Sequence, residues 1–302
     1  MRKEFAQSII NIAKSYDKLI FITGDIGFNA LEEVKEVLGN RFINAGVAEQ
    51  NIIGLAAGLA KQGFHPFVYS IAPFIVYRGY EQIRNDITFH NLPVIITGNG
   101  GGYGYGIMGA THHAIEDYGA LSLLNIKCIA PMINNDVEKA VKTAISYNSP
   151  IYLRLGYGSL NNKISEFNDW RQLLTGNEIT IATIGSIGIN SYLAAEQFSG
   201  KADLWSIGEI PFKEIPSEFI DSVNKTKKLI CIEEHVKRGG FGEYLVSKLI
   251  ENGCSNFCLE LLTAKGYPSG TYGSQNFHRK ESGIDIESIK TSIIKMAEKR
   301  EQ

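Results

Sequence analysis

Cysteine is scarce in this chain, charge is nearly balanced, and long apolar runs and low-complexity tracts are missing; each shortage removes a class of function. Four cysteines (Cys128, Cys231, Cys254, Cys258) in 302 residues are too few for a disulfide framework at this size. Cys254 and Cys258 lack a second Cys/His pair to complete a zinc site. Reduced thiols in a cytoplasmic protein are the expectation. The formal net charge is −2, with acidic and basic residues interleaved, so nothing electrostatic favours nucleic acid or an anionic membrane as partner. No apolar run approaches the ~18 residues that suggest a membrane span. The opening Met1-Arg2-Lys3-Glu4-Phe5 continues as an amphipathic helix rather than as a signal peptide.

What is present is 44% hydrophobic and 10% aromatic, enough to bury a core in each of two domains at about 150 residues per domain. Helical and strand-like patterns alternate. A helix face at Phe5, Ile9, Ile10 and Ala13 is followed by strand Leu19–Ile22, a helix near Asn29–Leu38, strand Phe42–Ala45 and helix Ala48–Lys61. Strand Pro66–Tyr69, helix Phe74–Phe89, strands Pro93–Thr97 and Lys127–Ala130, helix Asp136–Ser146 and strand Ile151–Leu155 continue the series. The apolar rhythm then fails, and 159–177 reads as a linker. A second alternation holds strands at Ile179–Ile184, Leu229–Ile232 and Phe257–Leu261 and helices at Asn190–Phe198, Gly242–Glu251 and Ile286–Glu298. The expected fold is therefore α/β, two doubly wound domains over 1–158 and 178–302, with sites gathered at the carboxyl ends of strands.

The most informative stretch is Asn44-Ala45-Gly46-Val47-Ala48-Glu49-Gln50-Asn51. A strand ends, a glycine turns the chain, and a carboxylate enters a helix of small apolar residues. Glu49 could simply favour the helix dipole. Yet an acid at the mouth of a buried helix, just after a strand, stands where α/β proteins place function.

The run RFINAGVAEQNIIGLAAGLAKQG from Arg41 to Gly63 resembles the pyrimidine-domain signature of transketolases, 1-deoxyxylulose-phosphate synthases and 2-oxoacid dehydrogenase β subunits. The likeness continues through Phe74–Arg84, Gly109-Ala110-Thr111-His112-His113, Pro150–Leu155, Ile232-Glu233-Glu234-His235 and Gly239-Gly240-Phe241-Gly242, covering nearly the whole chain in order. The chain is thus identified with the pyrimidine-binding and C-terminal half of a split transketolase. The resemblance implies thiamine diphosphate as cofactor, reacting through C2 of its thiazolium ring. It implies that Glu49 hydrogen-bonds N1′ of the aminopyrimidine so that N4′ can take the C2 proton. Phe74, then Tyr77, are the candidates to pack on the pyrimidine, with core packing as the alternative.

The resemblance also says what comes from elsewhere. The diphosphate and magnesium need a Gly-Asp-Gly stretch with a later Asn, and Gly24-Asp25-Ile26 holds only its beginning. Asp25 matches a different cofactor-side position near the subunit interface, and no metal ligand is assigned to this chain. A separate subunit with the diphosphate domain is implied, in an α2β2 assembly. On the substrate side, Arg154 and Arg2 match positions that hold a sugar phosphate, and His112 a histidine facing the donor sugar. For Arg154 the alternative is a salt bridge at a strand end. Transketolases carry a histidine and an acid where this chain has Gly100 and Met108, so donor specificity is open.

Rival readings are few. Gly104–Gly109 fits GxGxxG without the later acid of a dinucleotide site. His112 with Glu116, or His113 with Asp117, could share a helix face as metal ligands without a third partner. A pyruvate-using enzyme, such as a 2-oxoacid dehydrogenase β subunit or a relative of the deoxyxylulose synthases, is the enzymatic alternative. A non-catalytic regulatory relative is the alternative of another kind.

Overall fold

The computed structural model describes residues 1–27, 29–162 and 164–299; Gln302, where the second domain is expected to end, lies outside them. The chain forms strands β1 (Leu19–Thr23), β2 (Phe42–Asn44), β3 (His65–Ile71), β4 (Ile95–Asn99), β5 (Lys127–Ile129), β6 (Ile151–Leu155), β7 (Trp170–Leu174), β8 (Gly176–Ile184), β9 (Gly200–Ile207), β10 (Glu209–Ile210), β11 (Lys228–Val236) and β12 (Cys258–Ala264). They build two sheets, in the orders β10-β5-β6-β4-β3-β1-β2 and β12-β11-β8-β9-β7. Pairing is parallel except at one edge of each sheet, where β10 joins β5 and β7 joins β9 in antiparallel sense. The expected α/β class with two parallel-dominated sheets holds.

Strands covered on both faces read as continuous apolar runs, and β1 and β6 are buried along their whole length. On one face of the first sheet, Phe5 and Ile9 of helix Arg2–Ala13 pack with Phe21, Phe67 and Leu153. On the other, Ile52, Ile53, Ala56 and Ala57 of helix Glu49–Lys61 pack with Ile22, Val68 and Ile96. Because β1, β3, β4 and β6 run parallel, Thr23, Ile71, Asn99 and Leu155 end on the same side.

Two features depart from the sequence reading. The stretch 159–177 is not all linker: Trp170–Leu174 is an edge strand of the second sheet. Its signal was hidden because Arg171 is buried through an ion pair with Asp136, 2.8 Å, while Trp170 packs on Phe212 and Phe219. Strand β9 escaped for a similar reason. Its buried Asp203 is satisfied by Trp205 Nε1, at 2.7 Å, and by Gln172 Nε2, at 2.6 Å.

The two domains meet along a polar seam. Tyr118 donates to the Glu233 carboxylate, which also accepts from Phe241 N (2.7 Å) and Gly242 N (2.9 Å) at a helix start. The His235 ring stacks on Tyr118 at 3.9 Å. Burial pushes the Glu233 carboxyl up to about 7, against the hydrogen bonds that favour its charge. The native state therefore holds a proton that the unfolded chain has released, and this contribution to stability falls as pH rises from about 4.5 to about 7. Thermal melts of wild type and Glu233→Gln across that window should show the wild type losing stability relative to the variant. A constant difference would remove Glu233 as the source.

Candidate functional site

Helix Glu49–Lys61 begins at Glu49, directly after Gly46 turns the chain at φ +73°. Glu49 is only 4% exposed, so its carboxylate needs a partner. Arg78 supplies one, its Nη1 lying 3.1 Å from Glu49 Oε2. Arg78 sits on the helical run from Phe74, which is π-helical over Phe74–Arg78 and Ile83–Thr88. The run approaches the Glu49 helix closely because residue 79 is glycine. A Cβ there would lie 3.0 Å from Ile53 Cγ1 and 2.9 Å from the Ile75 carbonyl.

The Arg78 guanidinium also lies over the Phe74 ring, 4.0 Å from its centroid. The His112 ring meets Phe74 edge-on at 5.0 Å. A buried carboxylate, an aromatic face and a histidine edge therefore converge, with a planar, hydrogen-bonding group already seated between the first two. This arrangement suits a flat heterocycle that hydrogen-bonds Glu49 through its edge and stacks on Phe74. Glu49, Phe74 and His112, named from the sequence, are brought together; Arg78 was missed, although it lies one helical turn from Phe74.

The other named residues go elsewhere. Tyr77 is exposed on the rim, where its hydroxyl donates to Glu116 Oε2 at 2.9 Å, so it does not share the stacking place of Phe74. Asp25, at the end of β1, exchanges hydrogen bonds with Asn44: its N–H donates to Asn44 Oδ1 (3.0 Å), and its Oδ1 accepts from Asn44 Nδ2 (3.1 Å). Arg2 is half-buried at the start of the first helix, and its charge opposes the burial that raises the Tyr69 phenol to about 12. Met108 is exposed on the loop that leads to His112.

Arg154 corrects the sequence reading. It is 6% exposed, and its Nε donates to Asp117 Oδ2 at 2.8 Å. Its Nη2 donates to the carbonyls of Ala114 (3.0 Å) and Glu234 (3.1 Å). Its guanidinium lies over the Tyr118 ring, 5.0 Å from the centroid. These partners occupy the fork that a phosphate would require; Arg154 joins the two domains across their seam. Asp117 is thus committed to Arg154, and His113 to the Tyr267 hydroxyl and the Gly106 carbonyl, at 2.9 and 2.8 Å. His112 ends a short 3-10 turn and Glu116 precedes helix Asp117–Ser122, so neither pair shares the helix face that paired ligands were expected to use.

The loop carrying His112 is anchored on the second domain. Glu234 accepts from Tyr103 N (2.8 Å), Gln275 Nε2 (2.9 Å) and Arg279 Nε (2.9 Å). Gly102 has φ +68°, and a Cβ there would lie 2.7 Å from Glu234 Cγ.

A two-domain α/β protein with a carboxylate–aromatic cluster at strand ends is the class that fold and site define. The transketolase pyrimidine binding domain matches residues 1–162 and the transketolase C-terminal domain residues 168–289; the chain belongs to the transketolase family. It is 30% identical to a 1-deoxy-D-xylulose-5-phosphate synthase of Clostridium perfringens over 97% of this chain, but spans only 48% of that protein. It is 30% identical to one of the subunits of an apulose-4-phosphate transketolase, that of Phocaeicola vulgatus, covering 83% of this chain and 84% of that one. In fold it is similar to a split gene transketolase solved as an inactive beta4 tetramer, with a TM-score of 0.82, 23% identity, and 98% and 97% of the two chains covered.

Proposed function

We propose that this chain is one subunit of a split, thiamine-diphosphate-dependent transketolase-like enzyme that moves a two-carbon ketol unit between sugar substrates. In this reading a carbon–carbon bond of a ketose breaks, its ketol unit passes to an aldehyde, and no oxidant is consumed. The observation that carries it is the seat between Glu49 and Phe74, which already accommodates the planar guanidinium of Arg78. When bound there, the cofactor supplies the nucleophilic carbon. Glu49 holds the hydrogen bond at the pyrimidine ring nitrogen, Phe74 fixes the plane of the ring, and Arg78 must swing aside. His112, its Nδ1 2.9 Å from Thr111 Oγ1, faces the donor sugar.

Diphosphate and magnesium are assigned to a partner chain, because the one Gly-Asp pair of the sequence engages Asn44 and lacks the following glycine. The apulose-4-phosphate transketolase relative is itself named as a subunit and is matched along most of its length, which supports a divided enzyme. An α2β2 assembly is the proposed form. Calorimetric titration of the isolated chain with thiamine diphosphate and magnesium should show weak binding and no turnover. Tight, magnesium-dependent binding by this chain alone would sink the two-subunit assignment.

The likeness to a deoxyxylulose-phosphate synthase favours pyruvate as the second reading. The complete complex should consume hydroxypyruvate with glycolaldehyde as acceptor; consumption of pyruvate alone would replace ketol transfer by that second chemistry.

A further inference from the structure

Beyond His112 lie two further aromatic rings, Tyr105 and Tyr157. The Tyr105 ring lies 6.0 Å from His112 and 6.3 Å from Tyr157, edge-on to the latter, so half-buried aromatics lead from Phe74 to the end of β4. Asn99, the last residue of β4, is 1% exposed. Its Nδ2 donates to the hydroxyls of Tyr105 (2.8 Å) and Tyr157 (3.3 Å). Its Oδ1 is buried and has no hydrogen-bond partner among the described residues.

The backbone is built to place Tyr105 there. Gly100 and Gly101 donate to the Leu155 carbonyl at 2.9 and 3.0 Å, tying the loop to β6. The chain then folds back, so that a Cβ on Gly100 would lie 2.3 Å from Tyr105 Cε2. With φ +76° at Gly100, neither the space nor the backbone admits a side chain. The Tyr105 ring occupies what a side chain at position 100 would fill.

Both phenols accept from Asn99. Each phenol keeps its own proton to donate, beside the Asn99 Oδ1 acceptor that no described residue satisfies. A buried polar atom without a partner is costly, and a donor beside an acceptor is the complement of a single hydroxyl. Burial raises the Tyr105 phenol above its usual value, so it stays a donor at neutral pH.

We propose that Asn99, Tyr105 and Tyr157 form a subsite that reads a hydroxyl on the sugar chain beyond the transferred two-carbon unit, an assignment that rests on the ketol-transfer reading. The complete complex is assayed with hydroxypyruvate and glycolaldehyde, which carry no such chain, and with D-xylulose and D-xylulose 5-phosphate as ketose donors. Tyr105→Phe should lower kcat/KM for both ketoses about 10-fold, mainly through KM, and leave the short pair unchanged. Tyr157→Phe should act in the same direction. Calorimetric affinity for thiamine diphosphate should match wild type, because the subsite does not touch the Glu49–Phe74 seat.

An equal fall for short and long substrates, unchanged ketose kinetics, or a fall confined to the phosphorylated ketose would overturn the proposal. So would weakened cofactor binding, or a wild type that uses the short pair but neither ketose. In all of these the ketol-transfer reading survives. A wild type that consumes pyruvate and ignores hydroxypyruvate removes that reading, and the subsite with it.

Discussion

Glu49→Gln is expected to slow exchange of the C2 proton of bound thiamine diphosphate by about 10²–10⁴-fold in the complete complex, the usual worth of a positioned acid–base group. The amide has nearly the same shape and can still hydrogen-bond a ring nitrogen, but it has no acidic proton to share with that atom. Glutamine also keeps an acceptor for Arg78, whose guanidinium lies 3.1 Å from the carboxylate, so the helix start should keep its packing. The measurement is the rate of C2–H exchange in deuterated buffer, with circular dichroism to confirm the fold. An exchange rate equal to wild type would remove Glu49 from the chemistry and leave it as a buried carboxylate paired with Arg78.

Arg154→Ala should destabilise the chain by about 3–5 kcal/mol, the range for removing one partner of a buried ion pair. Asp117 is fully buried and would lose the guanidinium 2.8 Å away. The carbonyls of Ala114 and Glu234 would lose a donor that spans the two domains. Urea denaturation followed by fluorescence measures the effect. Replacing the pair together, as Asp117→Leu with Arg154→Met, should recover part of the loss, because no charge then remains buried unpaired. If Arg154→Ala instead left stability intact and raised KM only for phosphorylated sugars, Arg154 would belong to the substrate site after all.

These two residues also mark what local sequence order carries and what it does not. Glu49 was legible because strand, glycine turn and acidic helix start are consecutive, and local order carries that information. Phe74 and His112 followed from motifs lying in the expected order along the chain. Arg154 was visible as an arginine at a strand end, and a salt bridge was the alternative reading there. Its partner lies 37 residues away and its interdomain contact 80 residues away, and no local pattern names either.

By itself the sequence determined the α/β alternation, the two sheets and the acid at the mouth of a small-residue helix. These depend on periodicity and on neighbours a few residues apart. Tertiary structure alone decided that Arg78 fills the Glu49–Phe74 seat, that Arg154 is spent on the domain seam, and that Tyr105 covers Gly100. Each of these depends on which side chains meet once helices and loops have packed. Burial then assigns the outcome: a buried charge must find a partner, and whichever partner the packing brings within reach sets what the residue can do.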